Sequence, residues 1–394
     1  MTDSHHLGSI HWPECIDEQI FLDQYWQKKP LLIRGAFPEF RTPLPADELA
    51  GLSLEPDTTP RLITQDAVGA YHLEHGPFDE ERFTTLTENN WSLLVTDVEK
   101  HIPELNSYLD PFRFLPNWRI DDLMVSYAPE GASVGAHVDE YDVFLLQASG
   151  MRQWSIDNQQ CNDPELLADA QLKLLASFNP TDSWELAPGD MLYLPPGIGH
   201  HGIASSKDCT TWSIGFRAPK ISELVVRMAE YIDEQEKQQR YTDGSIQTAL
   251  PGEITGAAIE RFRTLCQQTL ERHDSEFTTL LGQFLTESVD PAQANEQAEQ
   301  DLTLPQVLSV LQRAPFSRFA WHDTSSNNDG DGDGDVMLFV DGELHACSRS
   351  FAMDICKSDI DLEINRLQYT QSELHLLKTL VGNGSLYEHA ASEE

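Results

Sequence analysis

The chain has 394 residues and a formal net charge of −39, from 65 acidic and 26 basic side chains. Such a surface repels phosphate backbones and argues against direct nucleic-acid binding; it suits a basic protein partner, and equally general solubility or a high-salt habitat. The 40% hydrophobic content supports ordinary cores, the length allows two or three domains, and no apolar run approaches the ~20 residues that span a bilayer.

The first residues, MTDSHHLGSIHWPEC, lack a basic region followed by an apolar run, so no secretory signal is expected. Six scattered cysteines (15, 161, 209, 266, 347 and 356) form no close pair and read as reduced thiols of a cytoplasmic protein. Phe21, Leu22, Tyr25 and Trp26 have helical spacing, and Lys28-Lys29-Pro30 stops that helix with cations at its C-terminal end. LLIRG (31–35) then reads as a strand. Residues 41–120 mix prolines with short apolar runs. His72 and His75 lie there with no carboxylate at ligand spacing and read as structural or surface histidines.

From Asp121 to Phe216 short strands come quickly: DLMVSYA (122–128), DVFLLQA (142–148), MRQWSI (151–156), SWEL (183–186), MLYLP (191–195) and TTWSIGF (210–216). The second and third read as a hairpin across Ser149-Gly150. Short strands separated by turn signals fit a double-stranded β-helix, a jelly roll with a small-molecule site at its mouth.

Within this run His137 and Asp139 stand two apart. Strand residues i and i+2 point to one side, so these two share a face. Pro-Gly-Asp (188–190) makes a turn before the apolar MLYLP, Pro195-Pro196-Gly197 breaks it, and His200 follows. Two histidines and one carboxylate can occupy one face of an octahedral metal and leave the other open, as in non-haem iron oxygenases. His201, next to His200, reads as a solvated or backbone-bonded side chain. Arg152 sits on an apolar strand: pointing inward it needs an anion, such as the distal carboxylate of 2-oxoglutarate; pointing outward it is an ordinary surface arginine.

After Pro219 the period changes. Ile221, Leu224, Val225, Met228, Ala229 and Ile232 form one apolar helical stripe, and Ile259, Phe262, Cys266, Phe277, Leu280, Leu281 and Phe284 continue the theme. Residues 288–301 read as a polar linker. A helix over LPQVLSVLQR, a hairpin turn at Asp341-Gly342 and helices near 358–366 and 371–381 suggest a winged-helix-like domain without a basic stripe, suited to packing or protein binding. NNDGDGDGD (327–335) places Asp329, Asp331, Asp333 and Gly334 like the start of an EF-hand loop, but Val340 stands where the final Glu is needed, so a solvated hairpin loop is expected.

The spacing Gly189, five residues, Pro195-x-Gly197-x-x-His200, together with His137-x-Asp139, resembles the Jumonji C (JmjC) branch of the cupin superfamily. The Asn that often follows in cupins is Ala204 here. YWQKKPLLIRG (25–35) is similar to the entrance of a JmjC-related group, the bacterial ribosomal oxygenases. The resemblance covers nearly the whole chain. It implies a mainly β fold with α: a JmjC oxygenase domain at 1–219 (core about 91–219), a helical and dimer-forming region at 220–300, and a winged-helix-like domain at 301–394. It implies Fe(II) held by His137, Asp139 and His200, with 2-oxoglutarate and O2 as cosubstrates. It also implies that Arg152 pairs with the 2-oxoglutarate carboxylate, with Ser126 in hydrogen-bonding reach and Ser213 a further candidate for that pocket. The implied reaction is hydroxylation of an arginine in a large-subunit ribosomal protein, the sixteenth, with Glu130, Glu140 and Asp142 as candidates for the target guanidinium. Histidine hydroxylation, lysine demethylation and a non-catalytic cupin-type regulator that binds DNA are the rival readings; an intact triad together with Arg152 argues against the last.

Overall fold

The computed structural model describes residues 7–161, 163–168, 172–235, 240–242, 251–287, 310–324, 335–357, 362–363 and 369–388. They fold as two compact units, with the break between Ala218 and Pro219.

The first unit begins with α1 (Glu18–Gln24), β1 (Leu31–Ile33), α2 (Ala46–Leu52), β2 (Pro60–Gln65), β3 (Tyr71–His75), α3 (Glu80–Thr84), β4 (Trp91–Val95) and α4 (Val98–His101). The barrel strands are β5 (Ile120–Ala128), β6 (His137–Val138), β7 (Val143–Ser149), β8 (Arg152–Asp157), β9 (Asp182–Leu186), β10 (Met191–Leu194), β11 (Gly199–Ala204) and β12 (Cys209–Phe216). They make two antiparallel sheets, ordered β1-β10-β7-β12-β5-β4-β2-β3 and β6-β11-β8-β9. This is the expected jelly roll.

Local chemistry explains the entrance segment. Asp17 caps α1 by accepting the Ile20 N–H at 2.8 Å. Lys28 Nζ donates to the Asp23 carbonyl at 2.6 Å, the expected cation at the helix end. The fully buried Phe21 ring meets Tyr193 edge-on at 4.8 Å and Phe144 at 5.5 Å; burial of one such ring contributes about 1.5–3 kcal/mol, enough to hold α1 against the sheet.

Two sequence expectations change here. β7 and β8 are not a hairpin: β7 pairs with β10 and β12, whereas β8 pairs with β11 and β9. The chain crosses from one sheet to the other at Ser149-Gly150. Gly150 has φ +61°, and a Cβ there would lie 2.9 Å from the Asp208 carbonyl oxygen. Six of the seven β7 residues are buried, the signature of a strand covered on both faces rather than one of a two-stranded ribbon. Second, Asp142 is not at the mouth. It is fully buried, accepting from Tyr193 OH at 2.6 Å, Arg119 at 3.0 Å and Gln27 at 3.1 Å. It thus ties the entrance segment to the barrel and is unavailable to a substrate.

The second unit contains α5 (Ile221–Gln235), α6 (Gly256–Arg272), α7 (Asp274–Thr286), β13 (Val310–Arg313), β14 (Phe319–Asp323), β15 (Asp335–Val340), β16 (Glu343–Ser348), β17 (Leu362–Glu363) and β18 (Leu386–Glu388), with helices at Arg349–Ile355 and Gln371–Gly382. Gly282 of α7 lies against the Phe339 ring of β15, so the helical region and the C-terminal sheets share a unit. Val310–Arg313 is a strand between β17 and β18, not the helix expected: Leu311 is fully buried in this small core, and tertiary pairing overrides local preference. The Asp341-Gly342 turn is as expected, with φ +50° and +84° and Val340 opposite Glu343. Residues 288–301, 327–334 and most of 358–366 lie outside the described residues.

Glu99 of α4 is buried, and its carboxylate accepts the Leu123 N–H of β5 at 2.9 Å. Burial pushes its pKa up to about 8. A carboxyl raised in the folded state stabilises most below its unfolded pKa, and that contribution is lost as pH rises through the folded value. Glu99→Gln keeps the acceptor and removes the titration. Thermal melts of the variant are therefore expected to gain on wild type between pH 5 and pH 8; parallel curves would contradict the buried neutral acid.

Candidate metal centre

β6 and β11 pair so that His137 lies directly opposite His200, with ring centroids 4.2 Å apart. Asp139 follows the two-residue strand β6 and accepts at its backbone oxygen the Gly197 N–H at 2.9 Å. Gly197, at φ +82°, is the position of the Pro-Pro-Gly break where a left-handed backbone is required. One ligand atom from each of His137, Asp139 and His200 lies within 4.8 Å of the others.

The two imidazoles are preset for coordination. His137 Nδ1 is 3.1 Å from Gly135 O, and His200 Nδ1 is 2.9 Å from Ile198 O. A carbonyl only accepts, so Nδ1 carries the proton and each Nε2 presents its lone pair to the centre. Those Nε2 atoms stand 3.9 and 3.5 Å from the two Asp139 oxygens. His200 is buried, and burial, then the neighbouring His137, lowers its pKa to about 4; the neutral form a metal needs persists near neutral pH. Two imidazoles and a carboxylate fit Fe(II). His201 is half-buried and is not among the residues lining the cavity; its ring packs edge-on to Phe178 at 6.1 Å.

The triad opens into a cavity of about 460 Å³. Arg152 and Trp154, two apart on β8, both line it, so Arg152 points inward. It is 3% exposed, and among the described residues its Nη2 has no hydrogen-bond partner. A buried, unpaired guanidinium is costly unless an anion completes it, so the cavity fits a dicarboxylate reaching from metal to arginine. Ser126 and Ser213, both buried, also line it, on β5 and β12; the Ser126 hydroxyl donates to Thr211 O at 3.3 Å. Glu140 lines the mouth, and Glu130 is not among the lining residues.

Sequence reasoning missed Asp122, Tyr141, Arg61 and His75, which also line this cavity. Asp122, Met124 and Ser126 alternate along β5, so the period that pointed Ser126 inward also carried Asp122. The Asp122 carboxyl is crowded by protein although part of the side chain faces open space. Burial first, then Asp121 and Asp97, raises its pKa to about 7. A Cβ at Gly215 would sit 2.5 Å from its Oδ1, so in this position the carboxyl lies directly against the glycine.

Residues 107–224 match the JmjC domain family. The ribosomal protein uL16 3-hydroxylase of Escherichia coli K12 is 35% identical over 287 residues, 71% of this chain and 72% of that protein. This chain belongs to the JmjC-domain ribosomal oxygenases. A probable ribosomal oxygenase of Haemophilus influenzae is 32% identical over 316 residues, 78% of each chain. Among solved ribosomal oxygenases, E. coli YcfD superposes with a TM-score of 0.78 at 28% identity, covering 97% of this chain and all of that one. YcfD in complex with cobalt and 2-oxoglutarate superposes with a TM-score of 0.75, also at 28% identity, over 97% and 99% of the two chains. Among the described residues no helix is long and apolar enough to cross a membrane.

Asp139→Ala and His200→Ala are each expected to weaken Mn(II) or Co(II) binding more than about 100-fold, beyond the loss typical of outer-shell changes, without unfolding the barrel. His201→Ala is expected to bind as wild type. Calorimetric titration checks this, and loss of binding in His201→Ala alone would transfer the ligand role to that residue.

Proposed function

We propose that this protein is an Fe(II)- and 2-oxoglutarate-dependent oxygenase that hydroxylates an arginine of the large-subunit ribosomal protein uL16, with His137, Asp139 and His200 as metal ligands. The observation that carries the reading is the metal-ready triad and the unpaired, buried Arg152 guanidinium in one cavity. The relatives' names and the YcfD complex with cobalt and 2-oxoglutarate support it.

When bound, iron, 2-oxoglutarate and O2 supply the oxidation: one oxygen atom enters succinate as CO2 leaves, and the other replaces a substrate hydrogen as hydroxyl. The chain's own work is binding, orientation and exclusion of water. Arg152 would pair with the distal carboxylate through a charge-assisted fork, and Ser126 would add a hydroxyl donor. The three protein ligands leave one face of the metal open for the keto acid and O2.

For the target side chain, Asp122 supports arginine. A carboxyl held near 7 by burial is returned to its anionic form by an arriving cation, and a carboxylate matches the planar guanidinium fork better than a point ammonium. The net charge of −39 suits a basic ribosomal protein over free nucleic acid. The same reading puts the protein in the cytoplasm as a homodimer. Exposed Ile221, Val225, Val226 and Phe262 on α5 and α6 support a dimer-forming role for the helices, with the C-terminal strands and helices as a winged-helix-like packing element.

Incubation of uL16 with enzyme, Fe(II), 2-oxoglutarate and O2 is expected to add one oxygen to an arginine, read by tandem mass spectrometry. Oxygen on histidine would move the protein to the sister activity, and succinate production with unmodified uL16 would reject the substrate. Asp122→Asn is expected to raise the KM for a uL16 peptide and leave 2-oxoglutarate affinity unchanged; an unaltered peptide KM would remove Asp122 from substrate binding.

A further inference from the structure

Among the described residues the guanidinium of Arg152 has one hydrogen bond, and its acceptor is a sulfur. Nε donates to Cys209 Sγ at 3.4 Å. Cys209 is fully buried on β12 in a small cluster with Ala128, Ala132 and Ala204. Gln147 Nε2 lies 3.4 Å from the same sulfur. Gln147 is itself fully buried and anchored: Nε2 donates to Ser149 O at 2.8 Å and Thr210 O at 3.3 Å, and Oε1 accepts from Thr211 Oγ1 at 3.2 Å. A guanidinium only donates, so Sγ acts here as acceptor.

This arrangement is unusual for a buried arginine, which ordinarily meets a carboxylate or carbonyl oxygens. Sulfur is a weak acceptor. It fixes the Nε side of the planar fork without neutralising its charge, while the residue lines the cavity. Trp154, whose ring lies 5.7 Å from Cζ, backs the guanidinium without supplying an oxygen. From this geometry we infer that Cys209 is the positioning residue for Arg152, keeping the guanidinium charged, oriented and free for a ligand carboxylate in the cavity. The inference rests on the cosubstrate role assigned to Arg152 above and adds the residue that makes that role possible. An oxygen anion at position 209 would satisfy the guanidinium internally and compete with the ligand.

The test is calorimetric binding to Mn(II)-loaded protein, with two probes. 2-Oxoglutarate carries the distal carboxylate; oxalate chelates a metal in a similar way and has no group that reaches Arg152. Cys209→Ala and Cys209→Val remove the acceptor. Each is expected to weaken 2-oxoglutarate binding about five- to tenfold, the scale of one lost neutral hydrogen bond, and to leave oxalate and Mn(II) affinities at wild-type values. Cys209→Ser, which restores an uncharged acceptor, is expected to recover most of the lost affinity. Arg152→Met is the control: it should lose more 2-oxoglutarate affinity than any position-209 variant. If Arg152→Met is weakened while Cys209→Ala and Cys209→Val bind 2-oxoglutarate like wild type, the positioning role is wrong and the Arg152 assignment stands. Parallel loss of oxalate affinity would reveal general distortion and also overturn it. Wild-type affinity in Arg152→Met would overturn the Arg152 assignment and the inference together.

Discussion

The antiparallel pairing that sets His137 against His200 is the constraint on which the site depends. Directly opposed residues of an antiparallel pair have Cβ atoms about 4.5–5.5 Å apart, so two imidazoles on one face converge with little adjustment. β6 is only two residues long, and its register is held from the other side by β11, which pairs with the whole of β8. β8 in turn carries Arg152 and Trp154. A one-residue slip of β11 would turn His200 away and bring His201 in. Gly202 guards that register: a Cβ there would lie 2.7 Å from the Trp154 ring.

The cavity holds two charges that the protein compensates only in part. Arg152 is buried beside a weak sulfur acceptor, and Asp122 is crowded among other acids. Burying charge without full compensation costs stability, and the aromatic core around Phe21, Tyr193, Phe144 and Trp212 offsets that cost. The contrast with Asp142 is instructive. That carboxylate is more deeply buried, yet it has three hydrogen-bond donors, from Tyr193, Arg119 and Gln27, and so holds structure together. Carboxylates left incompletely compensated beside open space are the ones available to a ligand.

Much of this was legible in the sequence because strand periodicity and turn chemistry are local. His137 and Asp139 two apart and the Pro-Pro-Gly break before His200 each pointed to the observed arrangement, whereas the inward orientation of Arg152 came from the family resemblance. What escaped depends on contacts across the chain. Asp142 sits three residues after a metal ligand, and nothing nearby in sequence shows that Gln27 and Arg119 will bury it. Ser149-Gly150 has the composition of a hairpin turn, and only the strands that flank β7 and β8 reveal a crossing between sheets. Val310–Arg313 ends a helix-like pattern but finds strand partners at 362–363 and 386–388. Ser126 came from the family resemblance, and the alternation of β5 that puts Asp122 on the same face as Ser126 was not followed back to that acid.

The central claim is that one cavity binds metal at His137, Asp139 and His200 and a dicarboxylate between that metal and Arg152. A crystal structure with Mn(II) and 2-oxoglutarate tests it most directly, using anomalous scattering to locate the metal. The account predicts a metal peak between the two Nε2 atoms and the Asp139 carboxylate, with the distal carboxylate of 2-oxoglutarate paired to the Arg152 guanidinium. Metal bound elsewhere, or 2-oxoglutarate bound with Arg152 still unpaired, would contradict it.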